Sequence, residues 1–374
     1  MDILIEINHP AQLHLFRPVM EAWSREGTTF LVAAREKDIT TRLMDRYGIE
    51  YVTLAPVGNG LAGQFRELLR REAAMFALAR RCRPRVIMGT SVHAARIARC
   101  CGARSMVLCE DDAKYIPLFR WLAYPLAHAI VTPEALAYEN HGLRHFTYPA
   151  YQKLFYLHPA RFAPDAGVRG ELGLSASERY AVIRLSSLQA HHDIGARGMS
   201  EEMIRDIVAL TSPEMRVFIS SEKPLPAEFE CHRMPLPPDR MHHVLSQAEF
   251  LISDSQSMTV ESALLGVPAF KINTFAGRIS VIRELEEAGL AFGYRPGQEA
   301  DLVRDVRSIH ALPNRRDVFE KRRATMLARR IDPVPWFLEL TRRMCDRQST
   351  AEIHAWSREY IAQALSPAQT CPVG

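Results

Sequence analysis

Hydrophobic cores stop growing at about 250–300 residues, so a chain of 374 is expected to fold as two lobes. Its 47% hydrophobic and 24% charged residues are those of a globular protein, and no run of about 18 uncharged apolar residues is present to form a transmembrane helix. The net charge of +4, left by 47 basic and 43 acidic residues, is too small a bias to argue for nucleic acid as a partner.

The seven cysteines are scattered and form no C-x-x-C pair. Neither a disulfide framework nor a structural zinc site is expected, which fits a reducing cytoplasm. The opening MDILIEINHP carries acids and no basic stretch, and reads as a first strand rather than a signal peptide.

In chain order, the first half alternates strand-like and helix-like runs. Asp2 to Ile7 is predicted as a strand, then the loop Asn8-His9-Pro10-Ala11-Gln12, then a helix from Leu13 to Glu26 ended by Gly27. Thr29 to Ala34 is the next strand, Ile39 to Tyr47 a helix stopped by Gly48, and Tyr51 to Leu54 a third strand. A long basic helix leads to strands at Pro84 to Met88, Ser105 to Cys109 and from Ala129. Such alternation implies parallel pairing with right-handed crossovers.

Tyr148 to about Ser177 is rich in Pro, Gly and Tyr and is placed as the interdomain linker. A second series follows, with strands at Tyr180 to Leu185, Arg216 to Ser220, Phe250 to Ser253 and Ala269 to Ile272. From Val334 the pattern is helical. The expected division is 1–160 for a first lobe and 161–335 for a second. Helices over 336–374 would pack back on the first lobe. The fold class is α/β, two Rossmann-like doubly wound lobes with a central cleft, as in the GT-B arrangement. Ligands of such sheets bind at the carboxyl ends of strands, so the loops after each strand carry the candidates.

The strongest constellation is ISDSQSMTVESALLGVP, Ile252 to Pro268. A strand ends in Asp254, Ser255 and Ser257, small oxygen-bearing residues suited to cap a helix. The free amides of a helix start form a site for phosphate, and Ser255 adds a hydroxyl. Glu261, near the second turn, is placed to accept both hydroxyls of a ribose. A capped helix with no ligand is the plain alternative.

In the first lobe, His9 follows the first strand and is suited to general-base work near neutral pH, with His14 just inside the helix. Both also suit local capping or packing. Glu110, Asp111 and Asp112 follow the fifth strand and offer a base or a sugar ligand. No His/Asp/Glu spacing makes a convincing metal site. Thr90, Ser91 and His93 open a helix, where a simple N-cap is the plainer reading of Thr90 or Ser91; Ser91 and His93 are assigned to the acceptor side with His14 and Glu110. In the second lobe, Arg184 and Ser186 are placed to meet a diphosphate, and Ser220 with Ser221, Glu222 and Lys223 to border a ribose or base. His191 or His192 with Asp193 offers a paired acid and base. The aromatic segment Tyr115 to Val131, with Arg120, offers contact with a membrane or lipid-linked acceptor, reinforced by Arg66, Arg70, Arg71, Arg80 and Arg81. A buried segment and a solvated helix face are the plainer readings.

The run from Met241 to Pro268 resembles the donor-site region of GT-B enzymes. These include the N-acetylglucosaminyltransferase that makes lipid II and the non-hydrolysing UDP-N-acetylglucosamine 2-epimerases. The resemblance implies that Ser255 meets a diphosphate and Glu261 a ribose. Asp254-Ser255-Gln256 stands where the epimerases read D-S-G-G, so the backbone here is less free to wrap a diphosphate. Over nearly its whole length the chain also resembles the family called domain of unknown function 354, often associated with surface-polysaccharide genes. The pieces are NHPAQLHLFRP, AARE, YPAYQKLFYLHP, SSLQAHHDIG, VFISSEKPLP, the SDS…ES…LLGVPA block and INTFAG.

Together these imply a cytoplasmic glycosyltransferase, peripheral at most to the inner face of the membrane. It would use a UDP-sugar donor and a glycan or lipid-linked acceptor in surface polysaccharide or glycolipid synthesis. No cofactor or metal is expected, because helix dipoles and basic groups can stabilise the leaving diphosphate. A nucleotide-sugar epimerase or hydrolase and a non-catalytic nucleotide-sugar-binding protein are the alternatives.

Overall fold

The run ILIEI at Ile3–Ile7 is buried at every position, Glu6 included. Burial on both faces marks a central strand of a parallel sheet. In the computed structural model, which describes residues 1–35, 38–55, 60–175, 177–186, 199–222 and 224–366, it is β1.

There follow α1 (Pro10–Glu26), β2 (Phe30–Ala34), α2 (Asp38–Arg46), β3 (Tyr51–Thr53), α3 (Gly60–Cys82), β4 (Val86–Gly89), α4 (Val92–Cys101), β5 (Arg104–Leu108), α5 (Pro117–Ala123), β6 (Ala129–Pro133), β7 (His145–Tyr148) and the one-turn α6 (Leu154–Leu157). The second series comprises α7 (Val168–Glu171), β8 (Tyr180–Leu185), α8 (Glu201–Thr211), β9 (Arg216–Ser221), α9 (Met241–Gln247), β10 (Leu251–Ser253), α10 (Gln256–Leu264), β11 (Ala269–Ile272), α11 (Ser280–Glu287), β12 (Ala291–Tyr294), α12 (Glu299–His310) and α13 (Arg315–Leu327). The helices α14 (Pro333–Cys345) and α15 (Thr350–Leu365) end the described chain.

Two compact units result, one of Met1–Tyr156 with Arg329–Gly374 and one of Leu157–Ala328. The first holds a seven-stranded sheet in the order β3-β2-β1-β4-β5-β6-β7. This is the Rossmann order with one strand added, and its direction of growth reverses between β1 and β4. The second holds a five-stranded sheet, β12-β11-β10-β8-β9, the flavodoxin-like order, which reverses between β8 and β10. Every pair in both sheets is parallel. The expected α/β, doubly wound class is therefore the observed one.

The division between the units, between Tyr156 and Leu157, falls within the expected linker 148–177, but the first part of that stretch is core. Tyr148, Tyr151, Leu154 and Phe155 are buried in the first unit. Their cover comes from the far end of the chain. The Trp336 ring lies 5.3 Å from that of Tyr148, and Phe337 packs against Phe155 and Phe16. Strands β7 and β12 were not among the expected elements.

Trp336 is fully buried, and its indole N–H donates to Ser357 Oγ at 3.0 Å, which ties α14 to α15. Truncating such a side chain removes its burial and leaves a cavity, so Trp336→Ala is expected to cost about 3–5 kcal/mol of stability. Thermal unfolding checks this, and an unchanged midpoint would show that α14 is not part of the first unit's core.

Candidate functional site

Where strand order reverses, successive crossovers leave for opposite faces of the sheet, and a crevice opens at the carboxyl ends. In the second unit the two strands concerned are β8 and β10. Arg184, near the end of β8, is in register with Ser220 of β9 on one side and Ser253 of β10 on the other. Its Nη1 donates to Ser220 Oγ at 2.8 Å and its Nη2 to Glu222 Oε1 at 2.5 Å. A guanidinium has five N–H donors, and Arg184 Nε has no partner among the described residues.

The loops after β8, β10 and β11 are tied together through Asp254. Its Oδ1 accepts the Ser186 backbone N–H at 2.7 Å, and its carbonyl accepts from Asn273 Nδ2 at 3.1 Å. Burial pushes the Asp254 carboxyl above its ordinary value of 3.8, against the lowering effect of the Ser186 hydrogen bonds and of Arg184. Ser253 Oγ accepts the Ser255 N–H at 2.8 Å, which fixes the turn into α10. Ser255 is the N-cap, its Oγ accepting from Met258 N–H at 3.5 Å, and Ser257 lies half-buried in the first turn. First-turn amides have no intrahelical acceptor, and a strand-to-helix turn of this kind has the chemistry to receive an anion. Glu261 is buried on the same helix, with His242 Nε2 at 3.4 Å from its Oε1.

The reversal in the first unit, between β1 and β4, carries a second polar group. Glu6 is buried in β1, and its Oε1 pairs with Arg71 Nη2 at 3.1 Å. Asn8 Nδ2 donates to Glu6 Oε1 at 3.1 Å, and Ser91 Oγ donates to Glu6 Oε2. Arg71 also reaches Asn8 Oδ1 at 2.5 Å and Glu67 at 3.8 Å, and Glu67 in turn holds Arg35 at 2.6 and 3.0 Å. The neighbouring strand makes room for Glu6 because Gly89 has no side chain. A Cβ there would lie 3.1 Å from Glu6 Cβ and 3.2 Å from its carbonyl oxygen. Gln12 bridges the two loops, accepting from Asn8 N–H at 2.7 Å and donating to Thr90 Oγ1.

The sequence-predicted residues divide accordingly. His9 is exposed and caps α1, its Nδ1 accepting from Ala11 N–H at 3.2 Å. A neutral ring capped this way carries its proton on Nε2, so it offers a donor where a general base needs a lone pair. His14 is buried against the rings of Tyr156 and Tyr47, at 5.4 and 6.1 Å, and serves packing instead of an open sugar site. Ser91 caps α4, and His93 is buried behind it. Glu110 is ion-paired with Lys153, and Asp112 is buried under the Tyr138 hydroxyl at 2.5 Å. Asp111 is half-buried between them. Ser187, His191, His192, Asp193 and Lys223 lie outside the described residues. Sequence reasoning missed Glu6, Arg35, Glu67 and Asn273, and took Arg71 for part of a solvated face.

Residues 1–148 match the model of a family described as protein of unknown function, DUF354. It is the family that the sequence motifs resemble. None of the curated proteins compared matches the chain.

Solved structures share the fold at low identity. A structure of S. aureus MnaA with UDP has a TM-score of 0.67 at 11% identity, covering 92% of this chain and 96% of that one. UDP-GlcNAc 2-epimerase from Neisseria meningitidis, bound to UDP-GlcNAc, has a TM-score of 0.59 at 12% identity, covering 98% and 100%. The glycosyltransferase SsfS6 from Streptomyces sp. SF2575 has a TM-score of 0.57 at 12% identity, covering 90% and 99%. The architecture of nucleotide-sugar epimerases and glycosyltransferases is thus that of this chain.

Because burial raises the Asp254 carboxyl, its contribution to stability is fully present below 3.8 and is lost as pH rises through the higher folded value. Asp254→Asn keeps an acceptor for the Ser186 N–H and has no charge to desolvate. The variant is expected to melt above the parent at neutral pH, with the gap closing toward pH 4. A variant that melts below the parent at neutral pH would show that the ionised carboxylate stabilises the lobe.

Proposed function

We propose that this protein is a GT-B-type glycosyltransferase that takes its donor, a UDP-sugar, at the crevice between β8 and β10. One observation carries the reading. The strand-order reversal brings Arg184 and the Ser255-capped start of α10 to a single edge of the second sheet, with the Ser186 N–H fixing the turn through Asp254. An arginine and a helix N-terminus are a complement to a diphosphate. Solved relatives of the same fold that contain UDP or UDP-GlcNAc support the choice of nucleotide.

In this reading Ser255, Ser257 and the first-turn amides of α10 hold the diphosphate, Arg184 offsets its charge, and Ser220 and Glu261 face the ribose. The acceptor is a glycan or a lipid-linked sugar. In the inverting form of the transfer, the acceptor hydroxyl attacks the anomeric carbon, and a new C–O bond forms as the sugar–phosphate bond breaks. The electron pair leaves on the β-phosphate oxygen, and the hydroxyl proton passes to a general base. The leaving charge is carried by arginine and backbone, so the proposal includes no metal.

A second reading, a nucleotide-sugar 2-epimerase, is favoured by the solved relatives of that name. Titration calorimetry with UDP tests what the two readings share. Hydrogen bonds to charged groups are worth about 1.5–3 kcal/mol, so Arg184→Ala is expected to weaken UDP binding by about tenfold or more. Unchanged affinity in both Arg184→Ala and Glu261→Gln would remove the donor site from this crevice. Incubation with UDP-sugars then separates the reactions. Turnover only with an acceptor extract marks the transferase, an epimer or free UDP without acceptor marks the second reading, and binding without turnover marks a non-catalytic protein.

A further inference from the structure

The helix α5 is built inside out on one side. Phe119 packs on Tyr124 at 5.7 Å and Ala123 is buried, which seats that face of the helix in the first unit. The other face carries Leu118, Trp121 and Leu122, spaced three and four residues apart, with Leu118 67% and Trp121 71% exposed. Of the ten large hydrophobic side chains exposed among the described residues, five fall between Leu118 and Leu143. Tyr138 bonds Asp112, ahead of α5, and Arg144, next to Leu143, donates to the carbonyls of Pro125 and Ala127 behind it, which ties both segments to the flanks of the helix. An apolar cluster of this kind on a monomer marks an interaction surface.

The rim of the cluster is basic. Lys114, Arg120 and Arg144 are exposed around it. The adjoining layer extends the charge, since α4 packs against both α5 and α3 and presents Arg96 and Arg99, while α3 presents Arg66, Arg70 and Arg80. The helices α3, α4 and α5 together hold eight basic and two acidic residues, although the whole molecule is only +4. The positive charge is therefore concentrated on this layer.

We propose that the α3–α4–α5 layer docks on an anionic lipid bilayer, with Leu118, Trp121 and Leu122 seated among the headgroups and the surrounding arginines and lysine on anionic phosphates. Tryptophan and leucine favour the membrane–water boundary, and long basic side chains extend from it to the phosphates. Each basic residue near such a surface adds attraction. A second copy of this chain is disfavoured as the occupant, because a two-fold pairing of this face would set Lys114, Arg120 and Arg144 against their own copies. The inference rests on the surface alone and is independent of the reaction.

Flotation of the full-length protein with vesicles tests it. The probe is a mixture of phosphatidylglycerol and phosphatidylcholine, with pure phosphatidylcholine as the neutral comparison. The protein is expected to float with the anionic vesicles, less so as salt screens the charges. The double variant Leu118→Glu, Trp121→Glu is expected to lose about tenfold or more of that binding. Both side chains are exposed, so its melting point should match the parent's, and Leu312→Glu, at an exposed leucine of the other unit, should bind as the parent does. Absence of binding to anionic vesicles, equal binding to neutral ones, or full binding by the double variant overturns the proposal. So does a parent dimer in sedimentation that the double variant abolishes while vesicles stay unbound.

Discussion

Between β8 and β10, and again between β1 and β4, the crossovers leave for opposite faces of the sheet, and the loops after those strands part. The candidate site follows from that constraint. It uncovers the carboxyl ends of two buried strands in each unit and places polar residues there. Arg184 and Ser253 occupy matching positions at the reversal in the second unit, and Glu6, Asn8 and Ser91 gather at the reversal in the first. The two edges differ in character. The second unit offers donors, in an arginine, amides and a helix start. The first offers a charge-balanced set of Glu6, Arg71, Glu67 and Arg35, suited to fixing a loop and presenting hydrogen bonds to uncharged hydroxyls.

Most strands were legible because a strand buried on both faces must be apolar throughout. YAVIRL and AFKI announced β8 and β11 at their observed limits. The strands that escaped depend on partners far away in the chain. In HFTY, His145 is buried as a neutral ring, its pKa pushed down to about 4 by burial and then by the charges of His141 and His354. Thr132 on β6 supplies its hydrogen bond at 2.8 Å. In AFGY, Gly293 looks like a strand breaker until Glu286 is seen folded over it, 2.2 Å from where a Cβ would sit. The first part of the expected linker proved to be core for the same reason. Its tyrosines and Phe155 look like loop residues locally and become core only when α14 arrives from the end of the chain.

The candidate site shows the same divide. Ser255 was readable because a helix cap is a local signal, and Arg184 and Ser186 because they close an unmistakable strand. Glu6 was not. A lone acid in an apolar strand reads as an irregularity, and its partner Arg71 lies on a helix whose other arginines are solvated. The gap left by Gly89 is visible only once β1 and β4 are neighbours. Exposure was equally non-local. The segment around Trp121 has the composition of a buried helix, and only the placement of Phe119 and Ala123 against the unit turns Trp121 outward.

The central claim is that the reversal between β8 and β10 binds a nucleoside diphosphate. A crystal structure of the protein soaked with UDP tests it most directly. The account predicts diphosphate density within hydrogen-bond distance of the first-turn amides of α10 and of Arg184. Well-ordered UDP at any other place on the protein, with the start of α10 left bare, would contradict it.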